Sequence, residues 1–498
     1  MRQKSVIDAL ADGYLAQLAA NYPSFATSIG LASGAADMDD YSPSAIERDL
    51  ELNQSTLAKL QAIEPEDDVD QVTKDALSQQ LQLDIEFHKA GLPYRDLNNI
   101  ASPAQGIRDV FDLSPTATVT DWENLASRMR KVKDSLAGYQ QTLAIGFEKN
   151  DGPAKRQLEE AITQAAQINQ PEGFFHEFAK GATAETELPS SLREELVAAA
   201  SVATAAYAAF GEFLKSMLPK ASEQDAIGRE RYRLLSKRFL GAEIDLDETY
   251  QWGIEELARV VAEQEAVANE ILPGASVAEA IAHLENDPTT KLHGTDELQK
   301  WMQRLSDKAI EDLGKTHFDI AEPLRKLECM IAPTKHGGIY YTGPSDDFSR
   351  PGRMWWSVPE GVETFDTWRE TTTVYHEGVP GHHLQVAQAT YIRDTLNDWR
   401  RLASWTSGHG EGWALYAERL MDELGYLSTP ADRLGMLDGQ RMRAARVVLD
   451  LGVHLGKPKL DGSGVWDFDY ALDFMSKNVN MSPEFVRFEV TRYFGWPG

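Results

Sequence analysis

Between Val374 and Gln385 the chain reads Val-Tyr-His-Glu-Gly-Val-Pro-Gly-His-His-Leu-Gln, which sets His376, Glu377, His382 and His383 within eight positions. Only 11 histidines occur in 498 residues, so three in this window call for a chemical reason. Neutral imidazoles are common zinc ligands, and a carboxylate beside the ion can take a proton from its water. The usual zinc-hydrolase pattern puts two histidines four apart on one helix, with Glu after the first. Here Pro380 stands at that fourth place. On a straight helix His382 would lie about 240° round from His376, and His383 would return to the same face about 10.5 Å further on. Pro380 has no amide to bond the His376 carbonyl, and Gly378 and Gly381 flank it. The spacing therefore predicts a widened or looped turn that swings His382 back towards His376, with His383 as the alternative second ligand.

A third ligand is sought in Gly408-His409-Gly410-Glu411-Gly412-Trp413-Ala-Leu-Tyr-Ala-Glu418. Glu411 and Glu418, seven apart, share a helix face. Glu411, nearer the glycines, is the candidate ligand; Glu418 is read as a carboxylate that orients a ligand or forms a salt bridge. His409 is close enough in sequence to orient a ligand or touch substrate. Asp450 and His454, four apart, share another face, where a carboxylate-held imidazole could stabilise an oxyanion; a structural pair is the equal alternative. Tyr340 and Tyr341 alternate across a strand, so that one, taken as Tyr341, can face the cleft; core or edge packing is the equal alternative. Arg350, with Arg353, Arg487 and Arg492, is a candidate fork for a terminal carboxylate, and a structural ion pair is the favoured alternative for each taken singly. Trp355, Trp356 and Trp413 are expected in the core.

The elements around these residues are mostly helical. Val6–Ala20, Ala45–Ile63, Val72–Phe87, Asp121–Phe147 and Ser191–Leu218 carry apolar residues at three- and four-residue spacing, with prolines and glycines between them. The acidic run Glu64–Asp70 is expected to be a solvated connection. After about Arg325, Lys326–Pro333, Gly338–Thr342 and Arg353–Val358 are short and β-prone, which predicts a small antiparallel sheet. Helix resumes from Phe365 to about Leu455, and a last helical stretch covers Trp466–Lys477.

Forty-nine Lys and Arg against 78 Asp and Glu leave a net charge of −29, which disfavours nucleic acid and anionic membrane as partners. The single cysteine, Cys329, excludes an intramolecular disulfide and a cysteine-rich metal cage. No run is expected to span a membrane, and Asp8 and Asp12 interrupt what would be a signal peptide's apolar region. The default location is cytoplasmic.

His-Glu-Gly-x-Pro-Gly-His-His-x-Gln followed by Glu-Gly-Trp-Ala-x-Tyr-x-Glu resembles a bacterial family catalogued as domain of unknown function 885, itself similar to zinc carboxypeptidases of the Taq type. Tyr340-Tyr341 and Ser349-Arg-Pro-Gly352 match its approach to the site; Arg446, Asp450, Gly452 and His454 match a later stretch. The resemblance implies one zinc ion on His376, His382 and Glu411, with Glu377 as general base. Aligning Gly381-His382 with the Gly-His that ends the carboxypeptidase motif selects His382 over His383. It also implies a family passage that begins at Glu489 and runs on into a further helix with a tyrosine, which a chain ending at Gly498 is expected to lack. The whole is expected to be a mainly α, zincin-like fold of one domain, residues 1–498. Within it, residues 1–325 should be helical, and residues 326–498 should carry the sheet and the metal site. The small antiparallel sheet should lie beside the cleft. The expected activity is hydrolysis of a peptide or amide, with catalytic Glu377 and His454 and substrate contacts from Tyr341, Arg350 and His409. The alternatives are a degenerate peptidase scaffold that only binds peptide, and a non-haem iron enzyme with the same ligands.

Overall fold

The computed structural model describes residues 2–332 and 338–498. Its helices gather around several apolar cores. In the first, α1 (Val6–Asn21), α2 (Pro23–Ser28), α3 (Pro43–Gln61) and α4 (Asp68–Lys89) follow one another. Ile7, Ala11, Tyr14 and Leu15 form the apolar stripe of α1 and meet Leu60, Leu77, Leu81 and the distant Trp399. The acidic run departs from expectation here. Asp67 caps α4, and Asp70 is fully buried, accepting hydrogen bonds from Ser5 and Arg2. A buried carboxylate needs partners, and these come from the start of the chain, where pattern alone does not see them.

The second core joins α5 (Pro103–Leu113), α6 (Val119–Glu148), α7 (Lys155–Ile168), α8 (Phe174–Lys180) and α9 (Ser190–Met217). Met129, Val132, Leu136 and Leu143 of α6 pack with Leu196, Ala199, Ala203 and Phe210 of α9. The stretch Ser190–Lys220 is long and apolar enough to cross a membrane by length and composition, contrary to the sequence reading. Half of its apolar window is buried inside the protein, and its alanines let neighbouring helices approach closely.

Next come α10 (Arg229–Leu240), α11 (Leu246–Ile271), α12 (Val277–Glu285), β1 (Lys291–His293) and α13 (Thr295–Thr316), then β2 (Leu327–Ile331), β3 (Ile339–Thr342), β4 (Gly352–Trp356) and β5 (Thr364–Asp366). The expected small sheet is present, in the order β2-β4-β3. β3 and β4 are antiparallel, with Tyr341 opposite Met354, as are β1 and β5. β2 runs parallel to β4 because the chain passes to the far edge as β3 and returns through the middle. Pro333, at the end of the first expected strand, lies outside the described residues. Cys329 and Met354 turn inward and pack into a core with α13 and α14 (Thr367–Glu377).

The last section runs from α14 through α15 (His382–Tyr391), α16 (Asp398–Leu402), α17 (Ser407–Glu423), α18 (Pro430–His454) and α19 (Phe468–Asn478) to α20 (Pro483–Gly495). α18 backs α14: Gly435 is glycine because a Cβ there would lie 2.2 Å from the Trp368 carbonyl oxygen. That close approach holds α14, and with it His376, against a long buried helix. The sequence reading assigns no helix to α20, although its buried Val486, Val490 and Phe494 recur at four-residue spacing.

Candidate metal centre

α14 stops at Glu377 and α15 starts at His382, so residues 378–381 form a short loop between the two histidines. The Gly381 amide donates to the Tyr375 carbonyl at 3.1 Å, and the His383 amide to the Gly378 carbonyl at 3.1 Å. A Cβ on Gly381 would lie 1.8 Å from the His376 carbonyl oxygen, so only glycine allows this fold-back. Trp413 of α17 donates its indole N–H to the Pro380 carbonyl at 2.8 Å. It is half-buried, and fastens the loop instead of filling the core.

The fold-back brings the His376 and His382 rings to 4.9 Å between centroids, at 89° to each other. From the second turn of α17, Glu411 reaches both: its carboxylate is 3.4 Å from His376 Nε2 and 3.7 Å from His382 Nε2. Seven residues further along α17, the buried Glu418 accepts from His376 Nδ1 at 2.7 Å and from the Thr372 hydroxyl at 2.6 Å. Arg443 of α18 stands 3.6 Å from the same carboxylate. Glu418 thus turns the other nitrogen of His376, Nε2, towards Glu411 and His382.

The electrostatics follow. Burial would lower His376, but Glu411 and Glu418 outweigh it and lift the imidazole to about 9. The two imidazoles hold Glu411 well below the ordinary carboxylate range. Glu418 stays low in spite of complete burial because Arg443, His376 and Thr372 oppose the desolvation. Glu377 is buried and its carboxyl is raised by that burial, with His376 and His382 partly opposing.

Two imidazoles and a carboxylate are suitable donors for zinc. Bonds of about 2.0–2.1 Å in a tetrahedral site imply ligand atoms about 3.3 Å apart, close to the separations Glu411 makes with both rings. His376, Glu377 and His382 also present ligand atoms within 4.8 Å of one another. His382 Nδ1 is buried with no hydrogen-bond partner among the described residues, so nothing there ties this ring to one tautomer. The donor set therefore fits a single ion.

His383 faces elsewhere. Its Nε2 donates to the Leu324 carbonyl at 2.8 Å and its Nδ1 accepts from the Tyr341 hydroxyl at 2.9 Å, so neither nitrogen is free. Burial pulls it down to about 4, which keeps it neutral. Tyr341 is accordingly engaged with His383. Arg350 donates to the Gly343 and Pro351 carbonyls and closes its own loop. Arg353 pairs with Glu328, and Arg492 with Glu489. His409, exposed on α17, hydrogen-bonds through Nδ1 with Gln385 of α15 at 3.2 Å.

The structure does not bring His454 to this cluster. It lies eleven residues past Arg443, about 16 Å along α18. Its Nε2 donates to the Tyr493 carbonyl at 2.7 Å, its Nδ1 accepts from the Ile227 amide at 3.4 Å, and burial lowers it to about 4. Helical spacing finds the Asp450–His454 pair, 3.5 Å apart, but cannot say what the far side of the ring meets.

Sequence reasoning missed Trp405. Its ring centroid is 6.4 Å from that of His382 and the residue is 56% exposed, while a Cβ on Gly410 would lie 2.3 Å from the indole. The glycine notch holds a large apolar surface in place beside the cluster. The available signal was its position, six residues before Glu411.

Residues 23–498 match the model of a family described as "Bacterial protein of unknown function (DUF885)". The chain belongs to that family. Among solved structures, this DUF885 member is similar to the putative lipoprotein from Colwellia psychrerythraea, with 22% identity and a TM-score of 0.83 over 99% of this chain and 89% of that one. It is also similar to a putative lipoprotein of unknown function from Shewanella oneidensis, with 15% identity and a TM-score of 0.70 over 99% of this chain and 92% of that one. At those identities the likeness establishes the fold. No curated protein matches. The expectation of a cytoplasmic location is corrected by these relatives: both are described as lipoproteins, and the cytoplasmic default is withdrawn.

Proposed function

We propose that this DUF885 protein is a metal-dependent hydrolase of peptide or amide bonds, with one zinc ion held by His376, His382 and Glu411. The observation that carries this is the carboxylate of Glu411 set against both imidazoles, with Glu418 orienting the first of them and Glu377 buried alongside. The motif's resemblance to Taq-type zinc carboxypeptidases, and hence to a zincin-like centre, supports the same assignment. When bound, the ion supplies Lewis acidity towards a water molecule and a substrate carbonyl.

The chain's own residues do the rest. Glu377 accepts the proton of the attacking water and delivers it to the departing nitrogen. Its burial, which raises its carboxyl, suits a group that must both take and return a proton. Glu418 and Thr372 hold His376 in one tautomer. The exposed face of Trp405 gives an apolar side chain of the substrate a surface to rest on.

The test pairs metal analysis with turnover of a peptide mixture. Zinc at one ion per chain, lost in His376→Ala, and activity falling about 10²–10⁴-fold in Glu377→Gln with zinc retained, are the expected results. Full activity in Glu377→Gln, or a purified protein that takes up no zinc, would refute the proposal.

A further inference from the structure

Far from the histidines in sequence, α1 to α4 and α10 enclose a cleft of about 400 Å³ whose walls include Tyr14, Tyr22, Phe25 and Phe87 and the carboxylates of Asp49 and Asp84. None of His376, Glu377, His382 and Glu411 lines it. One half of the cleft shows how it treats a guanidinium. Arg238 donates to Asp84 at 2.7 Å and lies 4.6 Å above the centre of the Phe87 ring. A carboxylate and an aromatic face are the two partners a guanidinium favours.

The other half has the same partners and no cation. Asp49 accepts hydrogen bonds from the Tyr22 hydroxyl and from Asn21, and among the described residues it makes no ion pair. Its sequence neighbour Arg48 pairs with Asp40, and His88, the other basic residue of the lining, is engaged with Glu47. Tyr14 points its hydroxyl to Asn53, as Tyr22 does to Asp49, so both phenols are satisfied and their rings remain as walls. Burial raises the Asp49 carboxyl, and the hydrogen bonds from Tyr22 and Asn21 and the nearby charge of Arg48 offset this only in part.

We propose that this cleft is a binding site for a small organic cation, a guanidinium or primary ammonium on a short apolar stem, whose head pairs with Asp49 and whose stem lies against Tyr22 and Phe25. A bare divalent metal is a poor occupant, because hard cations need six or more oxygen donors and the walls here are largely apolar. The site is independent of the hydrolytic centre.

Isothermal titration calorimetry of the full chain with butylguanidinium and butylammonium tests it. One-site binding with Kd of about 1 mM or tighter is expected for at least one of them. Asp49→Asn keeps an acceptor for Tyr22 and should weaken binding about tenfold or more; Phe25→Leu should weaken it by a smaller factor. Glu411→Gln should leave it unchanged. The absence of saturable binding to the wild-type chain, or equal affinity in folded Asp49→Asn, would overturn the proposal, as would binding lost in Glu411→Gln instead.

Discussion

His376 presents its two ring nitrogens to different surroundings, and that difference is the chemistry of the site. Nδ1 is taken by a carboxylate almost wholly shielded from water, and Nε2 faces the half-exposed Glu411 and the ring of His382. Glu418 therefore acts through His376: removing its charge leaves the proposed ligands in place and loosens their orientation. Glu418→Gln is expected to weaken zinc affinity about 10–100-fold, measured by competition with a chelator, while Glu377→Gln leaves that affinity nearly unchanged. Trp405 makes a second residue-scale prediction. Trp405→Ala should raise KM for peptides with an aromatic side chain by about tenfold and leave small side chains less affected, since one lost apolar contact is worth about 1–2 kcal/mol.

At the scale of elements, the break between α14 and α15 governs whether the histidines meet. Gly381→Ala would put a methyl group inside van der Waals distance of the His376 carbonyl oxygen. Thermal melting should show a loss of about 3 kcal/mol or more, together with loss of zinc uptake, because the loop cannot close without moving His382. α18 carries a second element-scale consequence. Burial raises Asp450 to about 7, although the Gly498 amide and Tyr232 hydroxyl oppose this. Its folded form holds a proton that the unfolded chain releases near pH 4. The stability this contributes is complete below pH 4 and is lost as pH rises to about 7. Asp450→Asn should remove that fall, so that its stability relative to wild type grows between pH 4 and 7 by at most about 4 kcal/mol in urea titrations.

Across the whole molecule, residues far apart in sequence close onto each other. Asn397 donates to Asp8 at 2.9 Å, and the Asp398 amide donates to Asp12 at 2.7 Å, tying α1 to α16 only a few residues before Trp405. Gln157 of α7 donates to the Thr491 carbonyl of α20. Asn397→Ala leaves Asp8 buried with one partner fewer and strips α16 of its cap, so chemical denaturation should show a loss of about 2–3 kcal/mol. The same variant should disturb Trp405 fluorescence, since α16 leads directly to it. The net charge of −29 favours cations over anions around the molecule as a whole.

Local pattern was enough to find the long helices. Val6–Ala20 against α1 and Asp121–Phe147 against α6 differ by only a residue or two at each end, because apolar residues at helical spacing must face a core whatever that core is. The residue types at the histidine–glutamate cluster and the need for a broken helix were equally legible, since Pro380 and two glycines permit little else. What lies opposite a side chain was not legible. That Glu418 faces Nδ1, that both nitrogens of His383 are occupied, that His454 belongs to another corner, and that Asp70 is buried beside Arg2 all depend on partners tens of residues away. The parallel β2–β4 pairing depends likewise on the order in which strands enter the sheet. Sequence by itself set which groups could bind a metal or move a proton, because those are properties of single residues and short spacings. Tertiary structure alone decided which of them meet, because hydrogen bonds and burial are made by packing between distant segments.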